Sequence, residues 1–304
     1  MHFTELINLA AERLGARVLQ ANDEFFGPKE SLIKSGRPIF IEGKYTDCGR
    51  WLDGWQTRRR RTPGHDWCIV HLGLPGIVRG VLVDTSFFRG NYPEYCSLEG
   101  SENGSDWIEI VPKSPLQEDS QNEFPVEAEQ RLTQVRLNIF PDGGVARLRV
   151  FGDVIPDWAK LGREIDLAAV EHGGIALGAS DEYVGAAQNL LLPGRPVNLG
   201  DGWETRRRRG PGHDWVVVRL GAPGSIRRVE IDTSHFFGNY PDTASLEASA
   251  HGDDPWVTLI PQIKLQAHTQ HLFKIGDYEP VSHVRLNIFP DGGVARLRVW
   301  GVWK

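Results

Sequence analysis

Cysteine is scarce in this chain, with three in 304 residues. The count is odd, and Cys48, Cys68 and Cys96 show no C-x-x-C spacing. This pattern argues against a disulfide framework and against a cysteine-rich metal site. We expect reduced thiols in a cytoplasmic protein.

Long apolar runs and an excess of positive charge are also lacking. The N-terminal segment carries charge and has no apolar core, so we expect neither a signal peptide nor a membrane span. Lysine and arginine number 34 against 40 aspartate and glutamate, a net charge of −6. This balance argues against general nucleic-acid binding, although the arginines are bunched and a local anion site stays open.

Familiar catalytic signatures are absent too. The chain has no G-x-S-x-G elbow, no P-loop and no H-E-x-x-H motif. Nucleophilic catalysis by serine or cysteine therefore has no support.

What the chain does contain is an internal repeat. Val135–Gly152 and Val284–Gly301 differ at a single position, and Asp53–Trp67 matches Asp201–Trp215 at all but two. Two copies of about 150 residues indicate two domains rather than a solenoid.

The junction between the copies falls near Gly152–Arg163, which predicts domains 1–155 and 156–304. The spacing between matched residues drops from 158 to 148 before the Asp-Gly-Trp block, so the first copy holds a ten-residue insertion around Ile41–Leu52.

Short strands dominate the pattern. Cys68–Leu72 and Val216–Leu220 are short, mostly apolar runs typical of buried strands. Val135–Phe140 and Ala146–Val150 alternate around the turn Pro141–Gly144, which predicts a hairpin with one apolar face and one arginine-bearing face.

Helical signal is limited to Phe3–Leu14 and, more weakly, Arg163–Glu171. Many short strands with Gly- and Pro-rich turns predict an all-β protein made of two β-sandwich or jelly-roll domains.

The first candidate motif is an arginine quartet in each copy, Arg58–Arg61 and Arg206–Arg209. Guanidinium groups present a planar fork of donors that suits a carboxylate. If the segment is a strand, alternate arginines face opposite ways. The alternatives are a solvated face or structural pairs with nearby acids. We assign substrate binding to Arg58, Arg59, Arg60, Arg206, Arg207 and Arg208.

The second motif is a His-Asp pair in each copy, His65-Asp66 and His213-Asp214. Histidine suits proton transfer near neutral pH, and a carboxylate can fix its tautomer. Adjacent residues of a strand point to opposite faces, however, so the two side chains need not touch.

The third motif is a polar loop that follows a strand and contains Asn91 in the first copy and Asn239 in the second. Polar loop residues on rigid strands often contact ligands. The copies diverge here, because Phe87 and Arg89 interrupt the pattern of the second copy, which has His235. Plain turn chemistry is the alternative.

The fourth motif is an acidic pair in each copy, Asp23-Glu24 and Asp181-Glu182. These residues could supply a catalytic carboxylate, although surface acids at a helix end are the alternative.

Three blocks in order, DGWETRRRR with GHDW, VRLGAPGSIRRVEIDTSHFFGNYP, and VRLNIFPDGGVARLRVWG, resemble the allantoicase family, and the resemblance covers nearly the whole chain. It implies two galactose-binding-like jelly rolls. It also implies a cytoplasmic enzyme of purine breakdown that converts allantoate and water to (S)-ureidoglycolate and urea.

This reaction needs groups for binding and for proton transfer. Arginines would bind the substrate carboxylate, while Asn91, Asn239, Asp66 and Asp214 would suit its ureido groups. His235 is a further candidate for substrate binding. We assign proton transfer to His213 or His65, or to a neighbouring acid. Candidate acids are Asp214, Asp66 and Glu182. The remaining ureido nitrogen can assist, so we predict no metal or cofactor.

Other readings remain open. The active site could lie in one copy or between them. The chain could instead be a sugar-binding module using its ten tryptophans, or an oligomerisation protein with intersubunit arginine pairs. A metal site of His213, Asp214 and His235 is a minor alternative, and a homo-oligomer is compatible with the sequence.

Overall fold

The computed structural model describes residues 2–253 and 255–304. The chain forms two compact units, of which unit 1 ends at Ile155 and unit 2 begins at Pro156. Within the described residues, every helix is a short 3-10 helix and the rest of the regular structure is β-strand. The predicted all-β class is therefore confirmed.

Unit 1 has twelve strands and three 3-10 helices among its described residues. Strands β1 to β12 are Ile7–Asn8, Arg17–Ala21, Tyr45–Thr46, Gly49–Arg50, Trp55–Gln56, Asp66–Asp84, Tyr95–Ser101, Ile108–Pro115, Gln121–Pro125, Arg131–Phe140, Gly144–Val145 and Arg147–Val154. The 3-10 helices are Phe3–Glu5, Glu12–Leu14 and Lys29–Ile33.

Unit 2 repeats this plan without the β3–β4 hairpin, which lies in the ten-residue insertion of unit 1. Strands β13 to β22 are Glu164–Asp166, Ile175–Ala179, Trp203–Glu204, Asp214–Asp232, Thr243–Ser249, Val257–Lys264, Gln270–Lys274, Val281–Phe289, Gly293–Val294 and Arg296–Trp303. The 3-10 helices are Trp158–Lys160, Val170–His172, Ala187–Leu191 and Leu199–Asp201.

One long strand organises each unit. The first half of β6 pairs with β2 and β10, and its second half pairs with β9 and β12. In unit 2, β16 pairs in the same way with β14 and β20, then with β19 and β22. Strands β7 and β8 extend the ladder beyond β10, as β17 and β18 do beyond β20. All these pairs are antiparallel.

The predicted hairpin of Val135–Phe140 with Ala146–Val150 is wrong. The two segments lie in β10 and β12, which pair with opposite halves of β6 and not with each other. The turn at Pro141–Gly144 therefore carries the chain from one half of the long strand to the other. Alternation shows which side chains are buried, but it does not reveal the pairing partner.

The two predicted helices are also wrong. Phe3–Leu14 consists of two 3-10 turns around β1, and Arg163–Glu171 contains β13 followed by the start of a 3-10 turn. Their backbone groups bond to strand edges instead of along a helix: Leu9 N donates to Val150 O, and Leu167 N donates to Val299 O, each at 2.7 Å. Both leucines are fully buried, so tertiary contacts override the weak helical pattern.

Period-two alternation sets the core. Cys68, Val70 and Leu72 of β6 are buried, as are Val216 and Val218 of β16. Each sheet thus directs one set of side chains into a β-sandwich core.

The glycine pair in Pro-Asp-Gly-Gly is explained by close packing. A Cβ on Gly144 would lie 1.9 Å from the ring of the buried Phe88, and one on Gly293 would lie 1.9 Å from Phe236. Only glycine leaves room for these rings. The loop that holds each phenylalanine is therefore anchored against the turn.

A buried ion pair joins the last strand of unit 1 to the Asp-Gly-Trp segment. Arg147 is 3% exposed and Asp53 is 6% exposed, and Arg147 Nη2 lies 2.5 Å from Asp53 Oδ2. Arg147 Nη1 also donates to the carbonyl oxygens of Asp53 and Ser31. In unit 2, Arg296 and Asp201 make the same pair at 2.8 Å. Arg147 belongs to the arginine-bearing face predicted for this strand, and the segments packed over it bury its side chain.

Replacing Asp53 with alanine is expected to lower the free energy of unfolding by about 3–5 kcal/mol, because it leaves the guanidinium of Arg147 buried without its carboxylate. Denaturant unfolding followed by tryptophan fluorescence measures the change. The matched control is Asp277→Ala, because Asp277 is 92% exposed in its pair with Arg227 and little change is expected. Equal losses in the two variants would contradict the assignment.

The ion pair of Arg147 with Asp53 also predicts how the stability of the fold depends on pH. Burial alone would raise the pKa of Asp53, but hydrogen bonds from Arg147 and from Ile39 N hold that pKa below its ordinary value. A lowered folded-state pKa gives stability that is present above the unfolded value of about 3.9 and is lost as pH falls through the folded value. Asp53→Ala should therefore remove part of the acid sensitivity seen below about pH 4.

Candidate functional site

In each unit, two loops in contact contain residues with a strained backbone conformation. The described chain has four non-glycine residues with left-handed φ: Phe87 (68°), Asp119 (47°), His235 (70°) and His268 (47°). Phe87 N donates to Asp119 Oδ1 at 2.7 Å, and His235 N donates to His268 Nδ1 at 2.8 Å. Such conformations cost about 1–3 kcal/mol each and gather at functional sites. The loop after each long strand also contributes residues to a cavity.

Unit 2 has several cavities, and the one beside this loop, hereafter the cavity of unit 2, has a volume of about 580 Å³. It is lined by Arg206, Arg207 and Asn239, which the sequence assigned to substrate binding. Arg206 is neutralised by Asp181, whose Oδ2 lies 2.7 Å from its Nη2. Arg207 is exposed, and no carboxylate of the described residues pairs with it. One guanidinium is thus available to an anion entering this cavity.

A carboxylate that the sequence reasoning missed lies in the same cavity. Asn239 Nδ2 donates to Glu204 Oε1 at 2.6 Å, so the amide holds the carboxylate in place. Glu204 is part-buried and lines the cavity together with Arg207. A signal was present in the sequence, because the change from Gln56 to Glu204 is one of only two differences between the matched blocks.

The cavity of unit 1 has a volume of about 450 Å³ and a different lining. Asn91 lies there, together with Gln56. Arg50 and Arg89 supply its positive charge, and neither was predicted from the sequence.

The arginine quartets do not act as units. Residues 57–61 and 205–209 form no strand, so the expected facing of alternate arginines across a strand is wrong. Arg58 Nε bonds to Asp23 Oδ2 at 2.7 Å, and Arg60 Nη1 bonds to Asp66 Oδ1 at 2.5 Å. Arg59 is exposed without an ion-pair partner among the described residues. Two of the four arginines in each unit are thus paired with acids of the same unit.

The aspartates of the His-Asp motifs are buried. Asp66 and Asp214 are each 1% exposed. Asp214 accepts hydrogen bonds from Arg208 and from Ser180 Oγ, while Asp66 accepts them from Arg60 and from an asparagine in place of that serine. Their carboxylates hold the arginine segment against the long strand.

The histidines of these motifs lie beside a separate polar cluster on the exterior of the sheet. His213 stacks on Phe289 with ring centroids 4.6 Å apart, and His65 packs on Phe140 at 4.8 Å. In unit 1, His65 lines an open cavity of about 610 Å³ together with Glu99. Neither histidine is among the residues that line the loop cavities with Asn91 and Asn239.

Arginine and amide donors surround the glutamate of this cluster. Arg136 donates to both oxygens of Glu99, at 2.6 and 2.7 Å, and Asn138 donates a third bond at 2.9 Å. The Arg136 hydrogen bonds hold the pKa of Glu99 below its ordinary value. In unit 2, Arg285 and an asparagine hold Glu247 in the same way. These glutamates are stabilised as anions.

The remaining predicted residues have local partners. Glu182 accepts a hydrogen bond from Ala187 N at 2.7 Å and so braces the 3-10 helix that follows it. His235 Nε2 donates to the carbonyl oxygen of Pro196 at 3.0 Å, and His235 does not line the cavity of unit 2. The site roles assigned to both residues stay predictions.

Across residues 2–253 and 255–304, no group of three or more His, Cys, Asp or Glu side chains is arranged to hold a metal ion. No helix in this part of the chain is long and apolar enough to cross a membrane.

Comparison with known proteins finds the same two repeats and relatives that match nearly the whole chain. The family model for the allantoicase repeat matches residues 7–155 and 165–304. A protein of Burkholderia mallei named probable allantoicase 1 is 50% identical over 97% of this chain and 94% of its own length. A probable allantoicase of Ralstonia nicotianae is 47% identical, with the same coverages of 97% and 94%.

Among solved structures, the allantoicase of Saccharomyces cerevisiae superposes with a TM-score of 0.85 at 37% identity, covering 97% of this chain and 92% of that one. Duplicated sandwich, matched blocks and full-length similarity agree, and the chain belongs to the allantoicase repeat family.

Proposed function

We propose that this chain hydrolyses allantoate to (S)-ureidoglycolate and urea in the cavity of unit 2. Full-length similarity to proteins named allantoicase supports the reaction. One observation carries the choice of cavity: the guanidinium of Arg207 and the amide-held carboxylate of Glu204 line the same space.

Substrate binding follows from charge and hydrogen bonding. Allantoate is a small carboxylate with two ureido groups on one carbon. Arg207 has no carboxylate partner among the described residues, so it binds the substrate carboxylate without first breaking an ion pair. Arg206 already pairs with Asp181 and contributes less charge. The polar groups of Asn239 and Tyr240 line the same cavity and are available to the ureido groups.

Glu204 performs the proton transfers in this proposal. The carboxylate of Glu204 takes the N–H proton of the ureido group that stays, and the electron pair of that nitrogen forms a double bond to the central carbon as the carbon–nitrogen bond to the other ureido group breaks. Glu204 passes the proton to the leaving nitrogen, which releases urea. Water then adds to the central carbon, with Glu204 taking a proton from the water and returning it to the nitrogen of the double bond. The sum is allantoate plus water giving ureidoglycolate plus urea.

The buried aspartates of the His-Asp motifs have a different role in this proposal. Asp214 holds Arg208, and Arg208 N donates to Asp291 Oδ2, a group that lines the cavity of unit 2. Asp214 thus acts as a positioning residue, and Asp66 has the same place in unit 1. Direct proton transfer by His213 or His65 stays a prediction from the sequence.

Glu204→Gln is expected to lower kcat by about 10²- to 10⁴-fold with a small change in KM, because the amide cannot transfer the proton. Urea release from allantoate measures the rate. Glu204→Asp should recover part of the activity, which a structural defect would not explain. The control is Glu127→Gln, which changes an exposed glutamate outside the described cavities.

His213→Ala tests the other location of the chemistry. A large loss of kcat in His213→Ala, together with unchanged turnover in Glu204→Gln, would assign proton transfer to the sheet-exterior cluster. Normal turnover by Glu204→Gln would refute the role of Glu204.

Arg207→Met is expected to raise KM and lower kcat/KM by roughly 10- to 100-fold, the effect of removing one charged hydrogen-bonding partner from the substrate carboxylate. Arg59→Met is the matched control, because Arg59 is the equivalent residue of unit 1 and lines neither loop cavity. Similar losses in both variants would show that Arg207 acts through general charge.

The reaction is proposed to need no metal or cofactor, because the second ureido nitrogen supplies the electron pair that drives the cleavage. Dialysis against a chelator is expected to leave kcat unchanged. Loss of activity that returns on adding one divalent metal would overturn this part of the proposal.

We also place the enzyme in the cytoplasm. The three cysteines are free thiols, which fits a reducing compartment. Burial raises the pKa of Cys96 to about 12, so its thiol stays protonated and unreactive at neutral pH. A homo-oligomer remains part of the proposal.

A further inference from the structure

We propose that the cavity of unit 1 is a second site, which binds a small ureido-carboxylate without hydrolysing it. The ligand class rests on the proposed function, whereas the existence of the site rests on the lining of the cavity. The two loop cavities occupy matching places in their units, but their chemistry has diverged.

The lining of the unit 1 cavity carries positive charge and amides. Arg50 and Arg89 supply the charge, and Gln56 and Asn91 supply the amides. No carboxylate lines this cavity, whereas Glu204 and two aspartates line that of unit 2. An anion therefore meets the guanidinium of Arg50 and no carboxylate on the walls, while Asp119 offsets part of the charge of Arg89.

Arg50 lies in the ten-residue insertion of unit 1. It lies on β4, and its guanidinium carbon sits 5.1 Å from the ring centroid of Phe40. No carboxylate among the described residues pairs with it. The stacking fixes one face of the guanidinium and leaves its donors available. Unit 2 lacks this hairpin and has no equivalent arginine.

Arg89 forms an ion pair with Asp119, although its side chain is 72% exposed. Its Nε and Nη2 both donate to Asp119 Oδ2, at 2.8 and 2.6 Å, and Nη1 has no such bond. The same carboxylate binds the backbone of the strained Phe87. Unit 2 has a phenylalanine in place of this arginine and His268 in place of the aspartate, so the charged support exists only in unit 1.

Apolar walls complete the cavity. Phe40 packs on Phe87 with centroids 5.7 Å apart, and Phe26 and Leu52 form further walls. These apolar walls give contact area to the carbon skeleton of a ligand. Two guanidiniums, two amides and a volume of about 450 Å³ suit a small acid that bears a ureido group.

Hydrolysis is not supported by this lining. No histidine, carboxylate, tyrosine, cysteine or lysine is present among the residues that form the walls. The position that holds Glu204 in unit 2 holds Gln56, which cannot transfer a proton at neutral pH. Binding without turnover follows.

The test uses ureidoacetate, which has one ureido group, one carboxylate and no second leaving group. Calorimetry on the full chain is expected to give two binding sites per chain, with dissociation constants compared among variants. Arg50→Met should weaken one site roughly 10- to 100-fold and leave the other. Arg37→Met, which changes an exposed arginine outside this cavity, should keep both sites.

Four outcomes are informative. One binding site in the wild type, or two in Arg50→Met with unchanged affinities, would overturn the proposal. Loss of allantoate turnover in Arg50→Met as severe as in Glu204→Gln would show that the unit 1 cavity is catalytic and would also overturn it. Two sites in a chain that never releases urea would support this site and refute the proposed function.

Discussion

The buried pair of Arg147 and Asp53, repeated as Arg296 and Asp201, is the contact on which the site geometry depends. One guanidinium binds the aspartate side chain and also carbonyl oxygens of the segments packed over the last strand. The buried tryptophan follows two residues after the aspartate, and Gln56 or Glu204 comes directly after the tryptophan. The ion pair therefore fixes the position at which this cavity-lining residue leaves the core. A buried charge is costly unless it is fully bonded, which makes the arrangement specific.

Duplication gave two scaffolds with one plan, and the difference between them lies at the cavities. The tryptophan Nε1 donates to the carbonyl oxygen of Asp23 in unit 1 and of Asp181 in unit 2, at 2.7 and 2.8 Å. The scaffold contacts are thus retained. At the loop end, by contrast, unit 1 carries Gln56 where unit 2 carries Glu204, and Arg89 where unit 2 carries a phenylalanine. The residues that maintain the fold are therefore different from the residues that determine which ligand a cavity can bind.

Much of the fold was accessible from the sequence. The repeat, the all-β class and the burial of alternate residues in β6 follow from local pattern, because period two directly reports which face is covered. Pairing could not be read in this way: Val135–Phe140 and Ala146–Val150 look like a hairpin, yet each needs a different half of the long strand. The short N-terminal turns were mistaken for helix because their hydrogen-bond partners lie far along the chain.

The site was accessible only in part. Arg206, Arg207 and Asn239 do share a cavity, as residue type and repetition suggested. Which arginines stay unpaired depends on aspartates distant in sequence, and a motif cannot reveal these. Glu204 was hidden for a different reason. A search for residues that both copies retain does not find a residue that only one copy has.

The long strands β6 and β16 each belong to both faces of their sandwich. Neither layer can therefore detach while the other stays intact, since the same stretch of backbone supplies ladder bonds to both. Each unit should open its deepest amides in a single cooperative event, with little room for a half-unfolded form in which one layer survives. Such all-or-none behaviour keeps the loop ends rigid for as long as the core exists.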